Sequence, residues 1–143
     1  MNLLTALGFT SGLNFFDVAG QFEGNLTLSE AGIVDPATGQ PYSPDPTLAA
    51  YFGPQSETVA ETLNSTILLG SLFFSETTAQ QNVTLVHEDL HAVFGGTVVG
   101  GTDADIASYF NLPYDRNLTG AALVTAASRA ITVWLTADCG GLK

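Results

Sequence analysis

The chain has 143 residues, 45% of them hydrophobic, which is enough for one domain with a buried core. Three basic residues, Arg116, Arg129 and Lys143, stand against fourteen acids, for a formal charge of −11. This balance excludes nucleic acid and anionic membrane surfaces as expected partners, because both need clustered Lys and Arg. It also keeps a protein soluble and suits cations, metal ions included.

Residues 1–28 are apolar and aromatic, interrupted by glycines. The N-terminal run MNLLTALGFTSGLNFF lacks an early Lys or Arg and a small-residue cleavage site, so it is a poor match to a signal peptide. The expectation is a mature form, or a fragment whose export signal lies outside it. Phe22, Gly24, Leu26 and Leu28 alternate at period two and predict a strand. Residues 32–47 hold four of the six prolines and predict a surface loop without regular pairing. Thr47–Phe52 and Glu57–Leu63 each read as a turn or two of helix. Ser65–Leu69 is β-branched and apolar and predicts a strand, with Gly70 turning the chain away.

From Thr77 to Phe94 the period becomes helical: Ala79, Val83, Val86, Leu90, Val93 and Phe94 form one apolar stripe, ended by Gly95 and Gly96. A second helix starts near Thr102 or Asp103 and runs to about Phe110, before Pro113. A third spans about Gly120 to Thr136, with Leu123, Val124, Ala127, Ile131, Trp134 and Leu135 on its buried side. No run of eighteen apolar residues is free of polar interruption, so no membrane span is expected. Strands followed by helices indicate an α+β fold, read as a single domain over residues 1–143 that is whole or part of a longer chain.

The only two histidines, His87 and His91, fall within VHEDLHAVF on the first long helix. Positions i and i+4 lie one above the other, so both imidazoles project the same way and can reach one tetrahedral metal. Glu88 follows, about 100° around the helix, where it can take a proton from a water activated by that metal. The competing reading is a pair of ordinary surface histidines. Their place at the edge of the apolar stripe, where a helix passes from core to cleft, favours the metal.

Such a centre needs a third protein ligand. The extended form H-E-x-x-H-x-x-G-x-x-H fails at Phe94 and Thr97, and no glutamate follows Glu88. Asp103 and Asp105 come next, delivered if the glycine-rich stretch 95–101 reverses the chain. Thr102 and Asp105 also fit a capping box, which would commit Asp105 to a helix end, and Asp103 could itself be the N-cap. Asp103 is the favoured ligand; Asp105, Asp115, an acid before the motif such as Glu76, and the absence of any third ligand stay open. Asp89, on the far side of the helix, is expected to be solvated.

The single cysteine, Cys139, can close no internal disulfide and reads as a spectator thiol. Asn25, Asn64, Asn82 and Asn117 open Asn-x-Ser/Thr triplets, glycosylation acceptors in a secreted eukaryotic chain, but chance in an Asn- and Thr-rich sequence is the favoured explanation.

The stretch from Ile67 to Gly96, ILLGSLFFSETTAQQNVTLVHEDLHAVFGG, resembles the zincin metallopeptidases, in which an edge strand precedes the active-site helix. More narrowly it is similar to bacterial domains with H-E-x-x-H on a helix followed by a Gly- and Asp-containing turn. The resemblance covers residues 65–112, about a third of the chain, and only H-E-x-x-H is highly specific. GGTDAD, Gly100 to Asp105, is similar to the G-T-x-D turn of the aspzincins, although the residue two after Thr102 is Ala104. The resemblance implies a zincin-like α+β fold, with N-terminal strands and a loop followed by an active-site helix and C-terminal helices. It further implies Zn2+ on His87, His91 and an aspartate, with Glu88 as catalytic base. Strand 65–69 would be a rim for an extended peptide. Tyr109, Tyr114 and Arg116 are the candidates for an oxyanion donor, packing being the alternative role of the tyrosines. The expectation is thus a secreted zinc peptidase acting on a peptide or protein substrate. Its alternatives are a catalytically inactive metal-binding or interaction domain of a larger secreted protein, and an amidase with the same metal chemistry.

Overall fold

The computed structural model describes residues 13–53, 58–63, 65–95 and 97–139, with positions 138 and 139 described by backbone alone, and within them strands form where the apolar run TILL finds partners. β1 (Asn14–Asp17), β2 (Ala60–Leu63) and β3 (Thr66–Leu69) make a three-stranded sheet in the order β1-β3-β2. β1 runs parallel to β3, with Asn14 opposite Thr66, and β2 runs antiparallel to it, with Ala60 opposite Leu69. All four residues of β3 are buried, as expected of a central strand with both faces covered. Residues 1–12, Glu57, Asn64, Gly96, the Cys139 side chain and Lys143 lie outside the described residues.

The chain divides into two compact units, one within residues 12–76 and the other within 77–143. The first holds the sheet and the short helix α1 (Leu48–Phe52), with Val18, Leu28, Ala31, Ile33, Leu48 and Leu68 as its core. Thr47 caps α1 by accepting a hydrogen bond from the Ala50 amide, as its sequence position suggests. Gly70 does turn the chain away, its carbonyl accepting from the Phe73 N–H at 3.1 Å, and a Cβ there would meet the Phe52 ring at 2.6 Å and the Thr58 carbonyl at 2.8 Å.

Two local expectations fail in this unit. The alternating segment 22–28 is not a strand. Gly24 N–H donates to the Gly20 carbonyl and Leu26 N–H to that of Glu23, both at 3.0 Å, so the backbone closes into a turn. Phe22 is 85% exposed, and only Thr27 pairs across the sheet direction, in a single bridge with Thr47. The described part of Glu57–Leu63 is strand β2 rather than helix, because β3 offers a full ladder that two helical turns could not match. The loop 32–47 lacks regular pairing beyond that bridge, yet buries Ile33.

The second unit consists of helices α2 (Thr78–Phe94), α3 (Asp103–Tyr109) and α4 (Gly120–Cys139), each packed against the others. Thr77 and Gln80 form a capping box at the start of α2, and Thr102 and Asp105 form one at the start of α3. Leu90, Ile106, Ala107, Leu112, Ala127, Ile131 and Leu135 are the core. Val124 and Ala79, expected inside, are exposed. Asp89, expected in water, is buried with one carboxylate oxygen lacking a partner. It lies about 200° around α2 from His87, so α2 is buried on more than one face, not along a single stripe. Burial pushes the Asp89 carboxyl above its ordinary value.

Residues Gly120–Ala137 of α4 are, by length and composition, apolar enough to cross a membrane, despite the polar interruptions that argued otherwise in the sequence. Only a minority of that segment is buried, along the line Ala127, Ile131, Leu135. This division predicts two contrasting substitutions. Ile131→Ala, at a fully buried site, should lower unfolding free energy by about 2–5 kcal/mol in urea titration, while Val133→Ala, 61% exposed, should change it by no more than about 0.5 kcal/mol. Equal effects would contradict the helix orientation.

Candidate metal centre

The two histidines owe their placement to α2. Four residues apart on one helix, their rings stack with centroids 5.1 Å apart and planes at 25°. The third group arrives from α3, whose N-cap is Thr102, so Asp103 is its first helical residue. Asp103 Oδ1 lies 2.7 Å from His87 Nε2 and 3.3 Å from His91 Nε2. Ligand atoms of His87, His91 and Asp103 all fall within 4.8 Å of one another. His87 is buried and the other two are half-buried, so the cluster is sheltered but reachable.

His91 is held from its other side as well. Its Nδ1 lies 2.6 Å from the Gly101 carbonyl, which can only accept, so Nδ1 carries the proton of that bond. In the neutral ring this leaves the lone pair on Nε2, the atom facing Asp103. Metal-binding histidines commonly have their second nitrogen fixed in this way.

Gly101 reaches His91 because it has no side chain to hold it off the Gly95 backbone. A Cβ on Gly101 would stand 2.6 Å from the Gly95 Cα and 3.0 Å from its nitrogen, closer than atoms pack. Gly95 itself keeps right-handed backbone angles and donates its N–H to the His91 carbonyl, so it supplies no left-handed helix ending. The Gly101 carbonyl and this glycine contact are the parts of the site that side-chain reasoning missed. The paired glycines at both ends of 95–101 were the signal.

The remaining candidates separate cleanly. Asp105 is committed to the capping box with Thr102, and Asp115 accepts hydrogen bonds from the Asn117 amide and side chain. Glu76 belongs to the other unit. The Tyr114 hydroxyl donates to the Ala104 carbonyl at 3.1 Å and lies 2.8 Å from Ser108 Oγ, so it braces α3. Tyr109 packs its ring on Phe94 and Phe110, and the Arg116 guanidinium sits over the Tyr114 ring. Glu88 is half-buried, and its charge is felt at His91.

The donor set suits a metal: two imidazoles and one carboxylate give three protein ligands, the number found in catalytic zinc sites, whereas structural sites close with four. The rim expected from strand 65–69 is not available as such. β3 is the middle strand, paired with β1 on one side and β2 on the other, so it has no open edge along its paired length for an added peptide strand.

The charges of the cluster are coupled. Burial disfavours the charged form of His91, but hydrogen bonds to Asp103 and the Gly101 carbonyl, with the charges of Glu88 and Asp103, outweigh it and raise its pKa. Burial likewise opposes ionisation of Asp103, and bonds to His87 and His91 outweigh it, holding the carboxyl well below the usual carboxylate range. A raised histidine stabilises the fold below its ordinary 6.5 and loses that contribution as pH climbs through the raised value. A lowered aspartate stabilises above its ordinary 3.8 and loses that contribution as pH falls through the depressed value. In chelator-treated protein the stability advantage of wild type over Asp103→Asn should therefore be greatest between those two ordinary values and shrink on either side. Thermal melts across the pH range measure this, and a pH-independent difference would contradict the coupling.

Comparison of the chain with protein-family models, curated proteins and solved structures finds no match.

Proposed function

We propose that the chain is a zinc-dependent hydrolase of zincin-like fold, cleaving peptide bonds, with His87, His91 and Asp103 as metal ligands and Glu88 as general base. The observation that carries this reading is the convergence of three donor atoms from two helices. It is reinforced by the Gly101 carbonyl, which reserves His91 Nε2 for coordination. Two nitrogens and one oxygen match the ligand chemistry of zinc better than that of calcium or magnesium, which take oxygen donors. Zinc held there would supply Lewis acidity toward a substrate carbonyl and lower the pKa of a bound water.

The chain's own residues do the rest. His87 and His91 bind as neutral rings, so coordination displaces the proton that Asp103 favours on His91, and metal affinity should weaken in acid. Glu88, one residue after the first ligand, takes the proton from the attacking water and returns it to the leaving amine. With β3 enclosed, the substrate would be held without strand addition to β3.

A second reading has its own support. The 2.7 Å contact between His87 and Asp103 is also a good hydrogen bond, able to tie α3 to α2 with no ion involved. The chain would then be a non-catalytic metal-binding or interaction module. Glu88→Gln separates the two. On the leading reading the variant retains about one zinc per chain and loses peptide hydrolysis by roughly 100-fold or more, and His91→Ala loses the zinc. Unchanged hydrolysis in Glu88→Gln, or a wild type that takes up no zinc, would overturn it.

A further inference from the structure

Outside the metal centre, the described residues of the second unit line a groove of about 830 Å³ along α4. Its floor is mostly apolar, with Ala126, Ala130, Val133 and Trp134 from the helix and Leu112 and Tyr114 from the preceding segment. Val133 is 61% exposed and Trp134 half-buried, its ring 4.6 Å from that of Phe110. Into this apolar lining comes one charge, the exposed guanidinium of Arg129. Among the described residues Arg129 has no acidic partner, although the chain carries fourteen acids. Arg116 is engaged over the Tyr114 ring, so Arg129 is the cation left uncommitted among the described residues.

A mostly apolar cleft with a small number of polar groups is the usual form of a small-molecule site. Here the polar group is a fork of donors matched to a carboxylate. We propose that this groove binds a medium-chain apolar carboxylate, its head on Arg129 and its tail along α4 toward Ala137. Eight residues separate Arg129 from Ala137, about 12 Å of helix. A second copy of the chain fits the groove less well. No acid occurs in Gly120–Ala137, so two such faces brought together would leave each guanidinium without a counter-charge. An anionic membrane is disfavoured by the net charge of −11. Thr125, one turn before Arg129 on the same side, adds a hydroxyl beside the head group.

Trp134 is the only tryptophan and lines the groove, so its emission reports occupancy directly. Titration of the full chain with decanoate, below its micelle concentration, should give a saturable change in that emission. Arg129→Gln should weaken binding about tenfold, while Arg129→Lys, which keeps the charge but loses the fork, should fall between wild type and Arg129→Gln. Decanol should bind wild type only as weakly as decanoate binds Arg129→Gln. Equal affinity of wild type and Arg129→Gln for decanoate would overturn the proposal, as would equal binding of decanol. So would an emission change that tracks protein concentration without ligand, which would mark self-association. An equal response of wild type and Arg129→Gln to zwitterionic vesicles, in place of decanoate binding, would mark a lipid-facing helix and overturn it as well.

Discussion

The connection between α2 and α3 has to turn back tightly enough to bring a carboxylate to two imidazoles on the preceding helix. The contact that permits this is that of Gly101 on the Gly95 backbone, where a Cβ on Gly101 would stand 2.6 Å from the Gly95 Cα. From it follow the bond from His91 Nδ1 to the Gly101 carbonyl and the start of α3 at Asp103. The capping box of Thr102 and Asp105 then fixes the direction of α3 and takes Asp105 away from the cluster. One steric condition in the backbone thus selects which aspartate faces the histidines.

The same arrangement sets the electrostatics. A carboxylate sheltered between two imidazoles stays ionised and favours a proton on His91, so proton and metal compete for one nitrogen. Burial by itself would push both groups toward neutrality, and the short hydrogen bonds outweigh it. A cluster of this kind is poised to exchange a proton for a divalent cation, which links the proposed zinc site to pH. The apolar groove on α4 belongs to the same helical unit but rests on other residues, so its occupancy stands or falls apart from the metal.

Much of the helical half was legible in the sequence because its signals are local. The apolar spacing of Val83, Val86 and Leu90, the T-x-x-D box and the i, i+4 histidines each act within one or two helical turns. Asp103 could be favoured but not selected over Asp105, because the choice depends on how the backbone packs between residues 95 and 101. The first half was less legible. Alternation at Phe22–Leu28 is what a strand shows, yet only the single bridge at Thr27 pairs it, and turn bonds from the Gly24 and Leu26 N–H groups to the Gly20 and Glu23 carbonyls win. The reverse holds for Ala60–Leu63, whose weak local preference is overridden by the ladder that β3 offers. Asp89 was misread because a helix covered on more than one face breaks the assumption of a single buried stripe.

The most direct test of the account is the coordination shell of zinc in protein loaded by dialysis, read by X-ray absorption at the zinc edge. The account predicts about one zinc per chain, surrounded by nitrogen and oxygen donors at roughly 2.0–2.2 Å with two imidazole contributions and no sulfur. A sulfur shell near ~2.3 Å, which would implicate Cys139, or a chain that emerges from dialysis without zinc, would contradict it.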